Sequence, residues 1–178
     1  MLKYLLIAIL VLAALVVVLL VYASTKPNWV RYERSILIEA APEKIYPLIE
    51  DLHAWRAWSP YENLDPDMKR TYSGAEKGEG AVYAWAGNSN AGSGQMEIIE
   101  TDKPSKVVIA LSFTAPMKAE NTAIFTLVPE AGATRVTWAL EGEADLFVKT
   151  IGVFLNMEKM VGSQFEEGLA KLKAVAEG

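Results

Sequence analysis

The groups that carry most enzyme chemistry are sparse in this sequence. His53 is the single histidine of the 178 residues, and there is no cysteine. A catalytic histidine needs a positioned carboxylate or a nucleophile beside it, and no spacing in the sequence supplies one, so we interpret His53 as a polar residue at a helix end. One histidine without thiols also disfavours a transition-metal site. The sequence therefore predicts no catalytic residue, no metal and no cofactor.

Two other polar residues are candidates for the mouth of a binding cavity. Arg56 lies between two tryptophans, and Glu120 follows the strand break at Pro116. The chain as a whole carries 22 acidic and 17 basic side chains, a formal net charge of −5, which argues against a nucleic-acid surface.

The elements that must position these groups are mostly strands. Alternating apolar and polar residues predict a meander of short antiparallel strands with one dry and one wet face. The strands are expected near residues 30–40, 70–73, 81–88, 95–100, 106–114, 120–129 and 134–143. Two short helices are expected after the first strand, one opening at Pro42 and one around residues 52–60.

The last stretch, residues 145–176, reads as one long helix. Its apolar residues recur at spacings of mostly three and four, with one gap of seven between Phe154 and Val161, and we expect a bend near Gly162. A sheet needs a partner for its dry face. The pattern thus predicts an α+β, helix-grip fold, in which a curved antiparallel sheet of six to seven strands wraps a long C-terminal helix.

The dry face of this sheet is rich in aromatic residues and methionine. These side chains either interdigitate into a solid core or leave an apolar pocket for a ligand, and the sequence leaves both open. Trp55 and Trp58 correspondingly either plug the core or form a rim, in which case they and the Pro116 loop would gate the cavity. We expect the ligand nearest residues 154–160. The predicted cavity contacts are Trp55, Trp58, Tyr83, Trp85, Met96, Ile98, Leu111, Phe113, Met117, Phe125, Trp138, Phe154, Met157 and Met160.

The N-terminus is a separate segment. Residues 4–21 contain no charged residue, glycine or proline, and 20 apolar residues span the hydrocarbon core of a bilayer. This predicts a single-pass transmembrane anchor in residues 1–25 and a domain in residues 26–178. A cleaved signal peptide is the alternative, but its apolar core is usually shorter. The basic residues that follow, Lys26, Arg31 and Arg34, favour a cytoplasmic domain.

The order of elements and several short motifs resemble the START-like superfamily of SRPBCC-type helix-grip domains. More narrowly, residues 30–178 are similar to the polyketide cyclase/dehydrase and lipid-transport family. The motifs that carry this resemblance are residues 39–46, 55–60, 83–85, 87–88, 92–96, Phe113, Pro116, 134–138 and 165–173. The resemblance implies a hydrophobic ligand held between the sheet and the long helix.

Three functions follow as hypotheses. The first is a membrane-anchored binding module for a hydrophobic small molecule or lipid. The second is a polyketide cyclase-like enzyme acting on an apolar substrate. The third is a partner-binding adaptor domain at the membrane. The absence of any recognisable catalytic group favours the first.

Overall fold

A computed structural model describes the whole chain, Met1–Gly178. It has four α-helices, seven strands and two short 3-10 turns at Ala54–Ala57 and Pro60–Asn63. The helices are α1 (Leu2–Ser24), α2 (Pro42–Glu50), α3 (Leu146–Phe154) and α4 (Met157–Glu177). The strands are β1 (Trp29–Ile38), β2 (Lys69–Gly74), β3 (Ala81–Ala86), β4 (Ser93–Asp102), β5 (Lys106–Ala115), β6 (Ala119–Glu130) and β7 (Ala133–Glu143).

All seven strands belong to one sheet, in the order β1-β7-β6-β5-β4-β3-β2. Strands β2 to β7 form an antiparallel meander. Strand β1 lies beside β7 at one edge of the sheet. The predicted α+β helix-grip class and its strand count are confirmed.

The strand register sorts the side chains onto two faces. Directly paired residues share a face, so the pairs Phe125–Trp138 and Ile98–Ile109 place four large apolar residues on the same side. We call this the inner face, because it packs with Phe165, Leu169 and Leu172 of α4 in the apolar core. The opposite side is the outer face.

The predicted single helix over residues 145–176 is wrong, because the chain forms α3 and α4 there. Leu155 has an extended backbone, which ends α3, and Asn156 precedes the first residue of α4. Asparagine is among the preferred residues at a helix N-cap. The long C-terminal helix of the fold is therefore α4, with 21 residues.

Helix α4 continues through Gly162 without ending there, and the bend expected near this residue stays a prediction. Gly162 makes room for Arg34 of β1: a Cβ added there would lie 2.0 Å from the guanidinium. That guanidinium pairs with Glu158 and Glu166, both at 2.7 Å, one turn to either side of the glycine. The glycine thus lets a β1 side chain lie flat on α4.

The chain divides into two compact units. The first comprises Met1–Val30 with Glu143–Met157, and the second comprises Arg31–Gly142 with Glu158–Gly178. The first contains α1, a 23-residue helix of mean hydropathy 3.4 that is long and apolar enough to cross a membrane, as a signal sequence would also be. The second contains the core and the inner face described below.

Candidate functional site

The space between α4 and the middle of the sheet is filled by stacked rings. Trp138 stacks on Phe165 at a centroid distance of 4.2 Å and on Phe125 at 4.9 Å, and all three are buried. Gly168 brings α4 onto this stack, since a Cβ there would lie only 2.8 Å from Cζ3 of Trp138. This part of the inner face is solid core.

Trp55 and Trp58 belong to the same packed region. The Trp55 indole donates to the Ile49 carbonyl and the Trp58 indole to the Leu48 carbonyl, each at 2.9 Å. Both are buried, and both rings meet Phe125 edge-on. Because each indole N–H is satisfied by the backbone of α2, the two rings are fixed in the arrangement that the core-plug interpretation describes.

The inner face changes character away from this stack. Four large apolar residues on it are half-buried, whereas Tyr83, Ile109 and Trp138, earlier on the same strands and on the same face, are buried. We call them the apolar floor: Trp85, Leu111, Phe113 and Leu140. The rings of Trp85 and Phe113 meet edge-on at 5.5 Å. They form the apolar surface on which a flat or elongated hydrophobic molecule could lie.

Two glycines leave room for side chains of neighbouring strands on the inner face. Gly94 is paired with both Trp85 and Phe113, and a Cβ there would lie 2.6 Å from Cη2 of Trp85. The Trp85 indole also donates to the Ala91 carbonyl at 3.1 Å, which fixes the ring across the glycine. Gly142 plays the same part for a polar side chain, because a Cβ there would lie 2.4 Å from Oδ1 of Asn121.

Asn121 is a polar residue beside the floor that the sequence interpretation did not name. It pairs with Leu111 and Gly142, so its amide lies on the inner face beside the floor. Glu120, which we predicted for this role, pairs with Ser112 and hydrogen-bonds its hydroxyl on the outer face. The alternation of side chains along a strand could have placed Asn121 on the inner face, since residue 121 is in phase with the buried Ala123.

A buried polar cluster supports the floor from β2 and β3. The Glu62 carboxylate accepts hydrogen bonds from Nε of Arg70 and from the Tyr83 hydroxyl, both at 2.7 Å. Burial, and then the bond to Glu62, raise the pKa of Tyr83 far above its ordinary value. The Tyr83 ring stacks on Trp85 at 6.1 Å, so the cluster holds one side of the floor in place. Each of the two carboxylate oxygens of Glu62 thus accepts a hydrogen bond within the cluster.

His53 has a carboxylate beside it, which the sequence did not indicate, but no nucleophile. Its ring stacks on Tyr72 at 3.9 Å, and its Nδ1 lies 3.2 Å from the carboxylate of Asp51, which is itself at the surface. No nucleophile hydrogen-bonds to the histidine, and no group of three His, Asp or Glu side chains in the chain is placed to hold a metal.

The sequence-predicted contacts divide into three groups by exposure. The buried ones are Trp55, Trp58, Tyr83, Met96, Ile98, Phe125 and Trp138. The half-buried ones are Trp85, Leu111, Phe113 and Met157. The exposed ones are Met117, Phe154, Met160, Arg56 and Glu120. Of the methionine and phenylalanine residues expected at the ligand, Phe154 is 71% and Met160 53% exposed. Their roles as ligand contacts stay predictions.

Two open pockets lie elsewhere in the second unit. One, of about 220 Å³, is formed by the β3–β4 loop at Gly87–Ser89 and Gly92–Ser93 together with Ala115 and Pro116. It lies at the strand end where the Pro116 loop was expected to gate a cavity. The other, of about 340 Å³, is lined by Glu33, Arg34, Ser35 and Thr137. Neither is an enclosed apolar cavity.

The sheet has seven strands, a long C-terminal helix on its inner face and an apolar floor beyond the packed core. These features define a helix-grip domain. Residues 30–177 match the family described as polyketide cyclase / dehydrase and lipid transport, and the chain belongs to that family. This confirms the family that the sequence motifs indicated.

Solved structures share the fold at low sequence identity. A protein from Thermobifida fusca superposes with a TM-score of 0.62 at 18% identity, over 82% of this chain and 92% of its own. One from Chromobacterium violaceum gives 0.58 at 16%, over 85% and 99%. The Aha1 dimer from Colwellia psychrerythraea gives 0.58 at 16%, over 83% and 96%. At these identities the similarity shows the fold alone. No curated protein sequence matches the chain.

Proposed function

We propose that this chain is a membrane-anchored module that binds a hydrophobic small molecule or a lipid on its inner sheet face. The observation that carries the proposal is the apolar floor of Trp85, Leu111, Phe113 and Leu140, half-buried beside a closely packed core. Contiguous apolar surface of this kind marks binding sites in soluble domains. Membership in a family whose description joins polyketide chemistry with lipid transport supports a hydrophobic ligand.

Binding would be driven by removing apolar surface from water, at roughly 25 cal/mol per Å². The apolar floor supplies this hydrophobic free energy, which does not depend on how the ligand is oriented. Asn121 supplies direction, because an amide both donates and accepts hydrogen bonds and its Oδ1 is held over Gly142. A ligand with an apolar body and one polar group therefore fits the arrangement better than a pure hydrocarbon.

The membrane part of the proposal rests on α1. This helix is 23 residues long, and none of its most apolar 18-residue window is buried. A helix of this composition that is exposed along its length is stable in a bilayer and unfavourable in water. We place it as a single-pass anchor, with the domain on the cytoplasmic side as the flanking basic residues favour.

The test measures binding of a fluorescent apolar probe to the full chain in detergent, with and without one change in the floor. Full burial of a leucine side chain is worth about 1.5–3 kcal/mol, and a ligand would cover only the part of Leu111 that is still exposed. Leu111→Gln should therefore lower probe affinity by roughly twofold to fivefold. Val128→Gln is the matched control: it makes a similar aliphatic-to-amide change on β6, at a side chain that is 48% exposed. Val128 alternates with the inner-face residue Leu127 and so lies on the outer face.

The proposal fails if the unaltered chain binds no probe and yields no co-purified lipid by mass spectrometry. It also fails if Leu111→Gln and Val128→Gln bind equally well while near-ultraviolet circular dichroism shows both to be folded. The first result would leave the adaptor hypothesis in its place, and the second would show that the probe binds away from the floor.

A further inference from the structure

Helix α3 is apolar without being part of a core. None of its nine residues is buried, and it contains a single charged residue, Lys149. Leu146, Phe147 and Phe154 are exposed, with Phe147 at 57% and Phe154 at 71%, and the adjoining Leu155 is exposed as well. A helix of this composition needs a covering surface that its own unit does not provide.

The contacts of α3 within the first unit indicate which surface covers it. The Ala144 N–H, just before α3, donates to the Asn28 carbonyl at 2.8 Å. Lys149 hydrogen-bonds the Asn28 side chain, and α3 packs against α1. These bonds tie α3 to the point where the proposed transmembrane helix ends.

The residues around that point are typical of a membrane–water boundary. Tyr22 and Trp29 are exposed aromatic residues on either side of the tether, where interfacial aromatic side chains are enriched. Lys26 donates to the Tyr22 hydroxyl at 2.8 Å and lies over its ring. The end of α1 thus carries the aromatic and basic residues that locate the level of the lipid headgroups.

We infer that α3 is an interfacial helix that lies in the surface of the lipid bilayer, with Phe147 and Phe154 among the acyl chains. The inference rests on the proposed membrane anchor, because α1 sets the depth at which α3 begins. Its one charged residue, Lys149, hydrogen-bonds Asn28 just past the end of α1, so its ammonium lies where the anchor meets the headgroups and not among the acyl chains. Such helices bury their apolar face roughly 5–10 Å into the boundary between headgroups and acyl chains.

This gives the first unit two attachments to the membrane, one across it and one along its surface. A single tether of a few residues leaves the soluble part free to turn about the anchor. A second, interfacial attachment fixes the orientation of the first unit relative to the bilayer plane.

The absence of cysteine makes the test direct, because each introduced cysteine is the sole labelling site. Four full-length variants, Phe147→Cys, Phe154→Cys, Leu12→Cys and Val128→Cys, are spin-labelled and reconstituted in phosphatidylcholine nanodiscs. Collision rates with oxygen and with a water-soluble nickel chelate then give the depth of each label. Leu12 reports on α1, and Val128 is the control for an exposed apolar residue outside α3.

The expected result is an oxygen-to-nickel collision ratio at positions 147 and 154 several-fold above that at 128, with Leu12 deeper still. If 147 and 154 match 128 while Leu12 is deep, the anchor stands and the interfacial helix is refuted. If Leu12 also matches 128, the anchor itself is refuted. Labels at 147 and 154 that neither reagent reaches, or that show spin–spin broadening, overturn the lipid assignment in favour of a protein partner or a second copy.

Discussion

Gly168 lies where α4 crosses the indole of Trp138, and changing it to alanine measures how closely the core is filled. An added Cβ would be 2.8 Å from Cζ3 of Trp138 and 2.9 Å from Cδ of Pro60. Carbon atoms pack at about 3.5 Å or more, so the ring would have to move by roughly 0.7 Å. Trp138 also stacks on Phe125 and Phe165 and therefore has little freedom to yield.

Two opposing contributions set the magnitude. Alanine is favoured over glycine in a helix by about 1 kcal/mol, whereas forcing an extra methyl group into a packed core costs about 1–3 kcal/mol. Gly168→Ala should therefore lower the free energy of unfolding by about 0–2 kcal/mol. Gly152→Ala in α3 is the matched control: no atom lies within 4 Å of its added Cβ, so the helix gains the propensity term without a clash.

Equilibrium urea unfolding of the full chain in detergent, followed by circular dichroism, gives both values. A double-mutant cycle with Trp138→Phe, which removes the clashing ring carbon, should show that the two changes together cost less than their sum by about 0.5–3 kcal/mol. If Gly168→Ala instead stabilises the protein by about 1 kcal/mol and shows no coupling to Trp138→Phe, the space beneath α4 is empty and our description of the core is wrong.

Two further predictions concern the polar cluster of Glu62, Arg70 and Tyr83 at one side of the floor. Arg70→Ala leaves the carboxylate of Glu62 buried without its ionic partner and should destabilise the domain by about 3–5 kcal/mol in the same urea assay. The control is Arg135→Ala, which breaks an exposed pair with Glu130. Equal losses of stability in the two variants would contradict the reasoning. Tyr83 stays protonated in the folded chain above pH 10 because burial raises its pKa, whereas the unfolded chain loses this proton near pH 10. Stability should therefore fall above pH 10 by up to about 1.4 kcal/mol per pH unit, and Tyr83→Phe should show a shallower fall in pH-dependent urea unfolding.

The sheet could be predicted from the sequence because alternation has a short, exact period. Residues 123, 125 and 127 of β6 share one face, and the structure buries all three. The break between α3 and α4 escaped the same reasoning. Phe154 and Val161 are seven residues apart, close to two helical turns, so the apolar stripe continues in phase across the break. The local signal was Asn156, a residue type preferred at helix N-caps, which directly precedes α4.

The site could be predicted only in part, because it depends on contacts between distant residues. Alternation alone would have placed Asn121 on the inner face, whereas we chose Glu120 for its charge, and the structure places Glu120 on the outer face. The positions at which Gly94 receives the Trp85 ring and Gly142 the Asn121 amide are set by strand pairing. No pattern within one strand predicts which side chain will lie over a glycine of the neighbouring strand.

The glycines also indicate which part of the inner face is open to a ligand. Gly162 and Gly168 seat α4 against Arg34 and Trp138, which closes the volume beneath the helix. Gly94 and Gly142 lie on strands and receive the Trp85 ring of the floor and the Asn121 amide beside it instead. Gly168→Ala should consequently lower stability while leaving the affinity for an apolar probe unchanged, because it disturbs the closed part of the inner face. If probe affinity falls in parallel with stability, the ligand binds beneath α4, and the floor is not the site.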